Sequence, residues 1–135
     1  MEIKIAFEGN KRVSASFEDG LKLMTDQPVG DGGDGTTPSP FASFLGSIGT
    51  CAGIYVLEFC NARGISTEGI SLSQQVEFAM DAAGKRRLAK VGLTINLPPD
   101  FPEKYRNAVV KAAELCAVKK AIMDPPQFSV EARVA

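Results

Sequence analysis

A chain of 135 residues is long enough for one domain with a core of its own, and 1–135 is read as a single domain. With 15 basic against 16 acidic side chains it carries no electrostatic footprint for nucleic acid or an anionic membrane surface. It contains no histidine, which excludes Ser-His-Asp and Cys-His pairs and histidine zinc sites, and its three cysteines lack CxxC spacing, so neither metal nor cofactor is expected.

In chain order, Ile3, Ile5 and Phe7 alternate with Glu2, Lys4 and Ala6, and Val13 to Phe17 alternate again after the turn-like Gly9-Asn10. That pattern predicts a hairpin. The same opening lacks the charged-then-apolar order of an export signal, so the expected compartment is the cytoplasm, where thiols are reduced or redox-active rather than structural bridges. A third strand is expected at Leu21-Lys22-Leu23, followed by a Gly/Pro-rich loop, PVGDGGDGTTPSP, from Pro28 to Pro40. The loop lacks the Lys-Ser/Thr ending of a phosphate-binding loop.

Ser39 and Pro40 have the order of an N-cap followed by a first helical residue, and Gly64 marks a stop, which predicts a helix of roughly six to seven turns. No charge occurs from Thr36 to Leu57. The length could span a bilayer, but two prolines, several hydroxyls and three glycines favour a core helix buried on nearly every side, and no membrane partner is expected. At ~100° per residue, Phe41, Phe44, Ile48, Tyr55 and Phe59 share one face, and Ala42, Gly46, Gly49 and Gly53 another, where a second backbone could approach.

Ile70–Met80 and Leu88–Leu97 alternate around the turn at Asp81 to Lys85 and read as a second hairpin, whose basic run Lys85-Arg86-Arg87 reads as a solvated surface. After Pro98-Pro99, one amphipathic helix is expected through Tyr105 to Ala113 and a shorter one from Leu115 to Met123. Phe128 to Val134 alternates as a last strand. The order predicts an α+β domain with helices against an antiparallel sheet.

Of the three thiols, Cys51 and Cys60 lie nine residues apart on one helix, ~180° around it and ~13 Å along it, too far for a disulfide. Any intrachain redox pair must therefore include Cys116. At the start of the short helix, Cys116 has free amides and Lys119-Lys120 nearby, an arrangement that favours a thiolate. From spacing alone each cysteine reads more readily as a small core hydrophobe than as a nucleophile.

The block GDGGDGTTPSPFASFLGSIGTCAGIYVLEFCNARGI, followed later by LCAVKKAI, resembles the OsmC/Ohr family of thiol-dependent hydroperoxide reductases. The resemblance implies an intertwined homodimer with active sites at the subunit interface, Cys51 as the peroxidatic and Cys116 as the resolving cysteine. It implies that Arg12, with Lys11 beside it, stabilises the thiolate, that the apolar Phe41, Phe44 and Ile48 receive an organic peroxide, and that an external dithiol recycles the disulfide. The chain departs from the family at two places: Pro40-Phe41-Ala42-Ser43 stands where a glutamate normally pairs with the arginine, Asp31 and Asp34 being the nearest acids, and Ala117 stands where proline commonly follows the second cysteine. The alternative reading is a non-peroxidase of the same fold that binds a small apolar ligand at the dimer interface.

Overall fold

A computed structural model describes residues 1–134 as two compact units, Met1–Ser47 and the chain from Ile48 onward. The first unit is built on an antiparallel meander of β1 (Lys4–Phe7), β2 (Val13–Ser16) and β3 (Lys22–Thr25), in that order across the sheet. Phe7 pairs with Val13, and Val13 pairs in turn with Thr25. The β1–β2 turn needs two left-handed residues, and Gly9 (φ +101°) and Asn10 (φ +47°) supply them, asparagine being a residue that tolerates this region.

Beyond β3 the Gly/Pro loop is organised by one fully buried carboxylate. Asp26 accepts the Thr36 hydroxyl at 2.6 Å, the Thr36 amide at 3.0 Å, the Gln27 amide at 2.7 Å and the Asp34 amide at 3.4 Å. The Thr36 hydroxyl and amide are the main reason its carboxyl is held far below the ordinary carboxylate range, against the opposing effect of desolvation. Gly33 is required here for space: a Cβ would lie 1.9 Å from the Gln27 carbonyl oxygen.

Helix α1 (Pro40–Ala62) starts as its sequence predicts, with the Ala42 amide donating to Ser39 Oγ at 3.1 Å. It ends at Gly64, whose φ of +65° lets the Ile65 amide turn back to the Cys60 carbonyl at 2.9 Å. Arg63 closes the same end, donating to the Phe59 carbonyl at 3.1 Å with its guanidinium 3.6 Å above the Phe59 ring.

In the second unit, β4 (Ser71–Met80) and β5 (Arg86–Asn96) form a long hairpin, with a bulge between Glu77 and Phe78. Asp81 Oδ1 accepts the amides of Ala83 and Lys85 to make its turn. Helices α2 (Arg106–Glu114) and α3 (Ala117–Met123) follow. Ala52, Val56, Phe59 and Cys60 of α1 pack with Phe101, Val109, Ala113 and Cys116 to form the core, and Leu72 and Ile95 of the hairpin lie against it. Antiparallel sheets and three helices make the fold α+β.

Three sequence-based expectations change. The long helix is buried along one stripe, Ile48, Ala52, Val56, Phe59 and Cys60, rather than on nearly every side. Phe41 and Phe44 are half-exposed because nothing in their own unit encloses the first turns of α1. Among the described residues no second backbone lies against the small-residue face: Gly49 faces the Gln74 side chain, while Gly46 and Gly53 face open space. Phe128 to Val134 forms no strand. Phe128 and Val130 are almost wholly exposed, since alternation makes a strand only where a neighbouring edge satisfies its amides and carbonyls. Pro40–Ala62 is also long and apolar enough to cross a membrane by length and composition, yet its buried stripe is spent on the protein core.

Candidate active site

Two of the three thiols meet. Cys51 sits in the middle of α1, half-buried against the core, and Cys116 is the N-cap of α3, almost wholly buried. Both are free thiols, as is Cys60. The Val118 amide, the Cys116 thiol and the Ala117 amide are the polar hydrogens close enough to Cys51 to favour its ionised form. These contacts pull its pKa below the ordinary thiol value, the Val118 amide most and the Cys116 thiol next, against the opposing effect of burial.

The sequence pattern placed the activating helix start beside Cys116. In the structure the Lys119 amide of that helix start reaches Cys116 Sγ at 3.5 Å and the Cys116 thiol has the Ile48 carbonyl in reach at 3.8 Å, while the Val118 and Ala117 amides also favour ionisation of Cys51. A pair of neighbouring free thiols, one of them acidified, is the arrangement thiol–disulfide chemistry requires.

Cys60 differs in kind. It is fully buried, and desolvation pushes its thiol up, with the nearby Arg63 charge opposing. Among the described residues no group of three metal-ligating side chains occurs.

The remaining sequence-derived candidates lie in different settings. Arg12 belongs to the first unit, where its guanidinium forms an ion pair with Asp34. Asn10 donates to the same Asp34 carboxylate at 3.2 Å and to the Gly32 carbonyl at 3.0 Å, so the β1–β2 turn and the Gly/Pro loop are tied together at the arginine. The Phe41 and Phe44 rings lie 5.7 Å apart, tilted by 38°. Ile48, by contrast, is only 6% exposed, which makes its side chain a core residue of the single chain and leaves its carbonyl as the part that touches the Cys116 thiol.

Sequence reasoning missed an apolar cavity of about 500 Å³ in the first unit, lined by Ile5, Val13, Leu23, Thr25, Phe44 and Ser47. Strand alternation named most of these side chains as one sheet face, but not that the start of α1 leaves a hollow over it.

Residues 32–131 match the family model of the OsmC-like proteins. The chain belongs to the OsmC-like family. The match covers the Gly/Pro loop from Gly32 onward, all of α1 with Cys51, the long hairpin, and the α2–α3 segment with Cys116. No curated protein matches the chain.

Solved structures share the OsmC-like fold. A protein from Psychrobacter arcticus, named for osmotic stress induction and a detoxification response, is 23% identical with a TM-score of 0.71, over 88% of this chain and 85% of that one. An organic hydroperoxide resistance protein from Legionella pneumophila is 22% identical with a TM-score of 0.56, over 90% and 89%. Another from Bacillus subtilis is 21% identical with a TM-score of 0.57, over 93% of each chain. At these identities the likeness is one of fold.

Proposed function

We propose that this OsmC-like protein is a thiol-dependent peroxidase that reduces organic hydroperoxides in oxidative-stress defence. The observation that carries the reading is the acidified Cys51 beside Cys116, both thiols free. The Cys51 thiolate attacks the terminal oxygen of the hydroperoxide, the O–O bond breaks, and the alkoxide takes a proton and leaves as the alcohol, with Cys51 oxidised to a sulfenic acid. Cys116 then attacks that sulfur, the S–S bond forms and water departs. An external dithiol reduces the disulfide and returns both thiols, consistent with a reducing cytoplasm as the working compartment.

Arg12, anchored by Asp34 where the family glutamate is lacking, keeps the role the resemblance assigns it, stabilising developing negative charge. A homodimer belongs to the same reading. Half-exposed Phe41 and Phe44, a nearly bare Phe7 on β1 and the alternating segment from Phe128 to Val134 are apolar surface that a second copy would cover. The names of the Legionella and Bacillus structures, both organic hydroperoxide resistance proteins, agree with the substrate class.

Reaction with one equivalent of cumene hydroperoxide is expected to consume two thiols, with mass mapping linking Cys51 to Cys116. Oxidation confined to Cys60 would sink the reading. The apolar cavity over the first sheet favours one alternative, a non-peroxidase that binds a small apolar ligand. It predicts slow, stoichiometric thiol loss and stabilisation by ligand instead.

A further inference from the structure

A carboxylate taken out of water costs free energy unless donors replace its hydration, and an apolar side chain in its place would carry no such cost. Asp26 is 0% exposed, and its four donors all belong to one stretch of loop: the Gln27, Asp34 and Thr36 amides and the Thr36 hydroxyl. None of the four is a cation, so what this carboxylate does is shape backbone. The Asp26 amide donates to the Pro38 carbonyl at 3.3 Å and the Gly35 amide to the Gln27 carbonyl at 3.1 Å, which closes the loop on either side of Asp34.

Residue 34 is thus held through its backbone, and its two carboxylate oxygens are divided between residues of the β1–β2 turn. Oδ1 accepts from Asn10, and Oδ2 pairs with Arg12. Gly9 leaves room for the guanidinium, since a Cβ there would lie 3.2 Å from Arg12 Nη2. An arginine has a long, rotamer-rich side chain, and a part-exposed ion pair fixes it only as well as the carboxylate is itself fixed. The Arg12 and Asp34 side chains are 33% and 44% exposed, so the order of the pair comes from what holds Asp34.

We propose that Asp26 is a positioning residue for the reaction: through the Asp34 amide it fixes the carboxylate that aims the Arg12 guanidinium. The inference rests on the reading of Arg12 as the group that stabilises developing negative charge. It gives a chain with no acid in Pro40-Phe41-Ala42-Ser43 another way to hold its arginine, with one acid from the loop and a second, buried acid behind it.

Two readouts separate the aim of Arg12 from the chemistry. Modification of Arg12 by phenylglyoxal, followed by mass spectrometry, reports how firmly the guanidinium is held with no peroxide present. In Asp34→Asn, which keeps the residue-34 amide and loses the charge, it is expected to speed up roughly two- to fivefold, the range of a part-exposed ion pair. Asp26→Asn should speed it at least as much, although both members of the pair are unaltered. If Asp26→Asn does not fold, Thr36→Val carries the test, because it removes one donor to Asp26 and keeps the carboxylate. Asp31→Asn, at the other acid of the loop, should leave labelling unchanged. Peroxide-driven formation of the Cys51–Cys116 disulfide should slow roughly tenfold in Asp26→Asn, as displacement of a positioned charge requires, with no further slowing when the change is added to Arg12→Ala. A residue that only supported the fold would slow both backgrounds alike.

Unchanged Arg12 labelling in Asp26→Asn, or in Thr36→Val where that variant carries the test, overturns the inference. So does an equal response in Asp31→Asn, or an equal slowing of the reaction in the Arg12→Ala background. Labelling that responds as expected in a protein that forms no peroxide-driven disulfide keeps Asp26 as the residue that aims Arg12 and removes the peroxidase reading, so the two fail separately.

Discussion

Cys51 and Cys60 are the same residue type on the same helix, nine positions apart, and their surroundings move them in opposite directions. At Cys51 the nearby Val118 and Ala117 amides and the Cys116 thiol pull the pKa down despite burial. At Cys60 the neighbours are Phe59 and the rest of the apolar core, and burial wins over the charge of Arg63. What separates them is the number of donors aimed at the sulfur, for desolvation opposes ionisation at both sites. A buried thiol is inert by default, and it becomes acidic only where the fold brings polar hydrogens to it.

The sharpest way to break this comparison is to exchange the roles by mutation. Cys51→Ser is expected to abolish peroxide-driven disulfide formation, whereas Cys60→Ala should still lose two thiols per peroxide. Loss of disulfide formation in Cys60→Ala, with the fold intact by circular dichroism, would place Cys60 in the chemistry and erase the distinction.

The next largest effect is on stability around Cys60. Phe59 packs in the core, edge-on to Tyr105 at 5.9 Å and beneath the Arg63 guanidinium. Phe59→Ala should cost about 3–5 kcal/mol in denaturant unfolding. It should also make Cys60 react with a thiol reagent in native buffer, where the unaltered protein protects it, and continued protection would mean that Phe59 is not its cover.

A smaller effect appears at alkaline pH. The Cys60 pKa is raised in the folded state, so its contribution to stability is complete below the unfolded thiol value of about 8.5 and is lost as pH rises through the folded value. Cys51 has the opposite sign: its lowered folded pKa gives a contribution present above the unfolded value and lost as pH falls through the folded one. Unfolding free energy measured from pH 7 to 10 should therefore decline less in Cys60→Ala than in the unaltered protein, and more in Cys51→Ala. Parallel curves for the three proteins would contradict the opposed shifts.

Local pattern carried most of the fold. Alternation located both hairpins, Gly9-Asn10 and Asp81 to Lys85 marked their turns, and Ser39, Pro40 and Gly64 bounded α1 to within two residues, because each of these signals acts over a few residues of backbone. It misled at Phe128 to Val134, where a strand sequence has no strand to pair with among the described residues.

The site was legible only in part. Helical spacing alone ruled out a bridge between Cys51 and Cys60 and required Cys116 in any intrachain redox pair, and resemblance assigned Cys51 and Cys116 their roles. Spacing also set helix-start amides beside Cys116, where the Lys119 amide is found. Which sulfur the α3 amides serve depends on residues 65 positions apart meeting with their side chains in a particular order. Likewise, Asp34 is one of two nearby acids in the sequence, and it is the Asp26 hydrogen bonds folding the loop that bring it to Arg12. The sequence by itself determined the elements, the thiol inventory and the absence of histidine. Only the tertiary structure decided where the donors point, since hydrogen bonds that shift a pKa act over a few ångströms between segments distant in the chain.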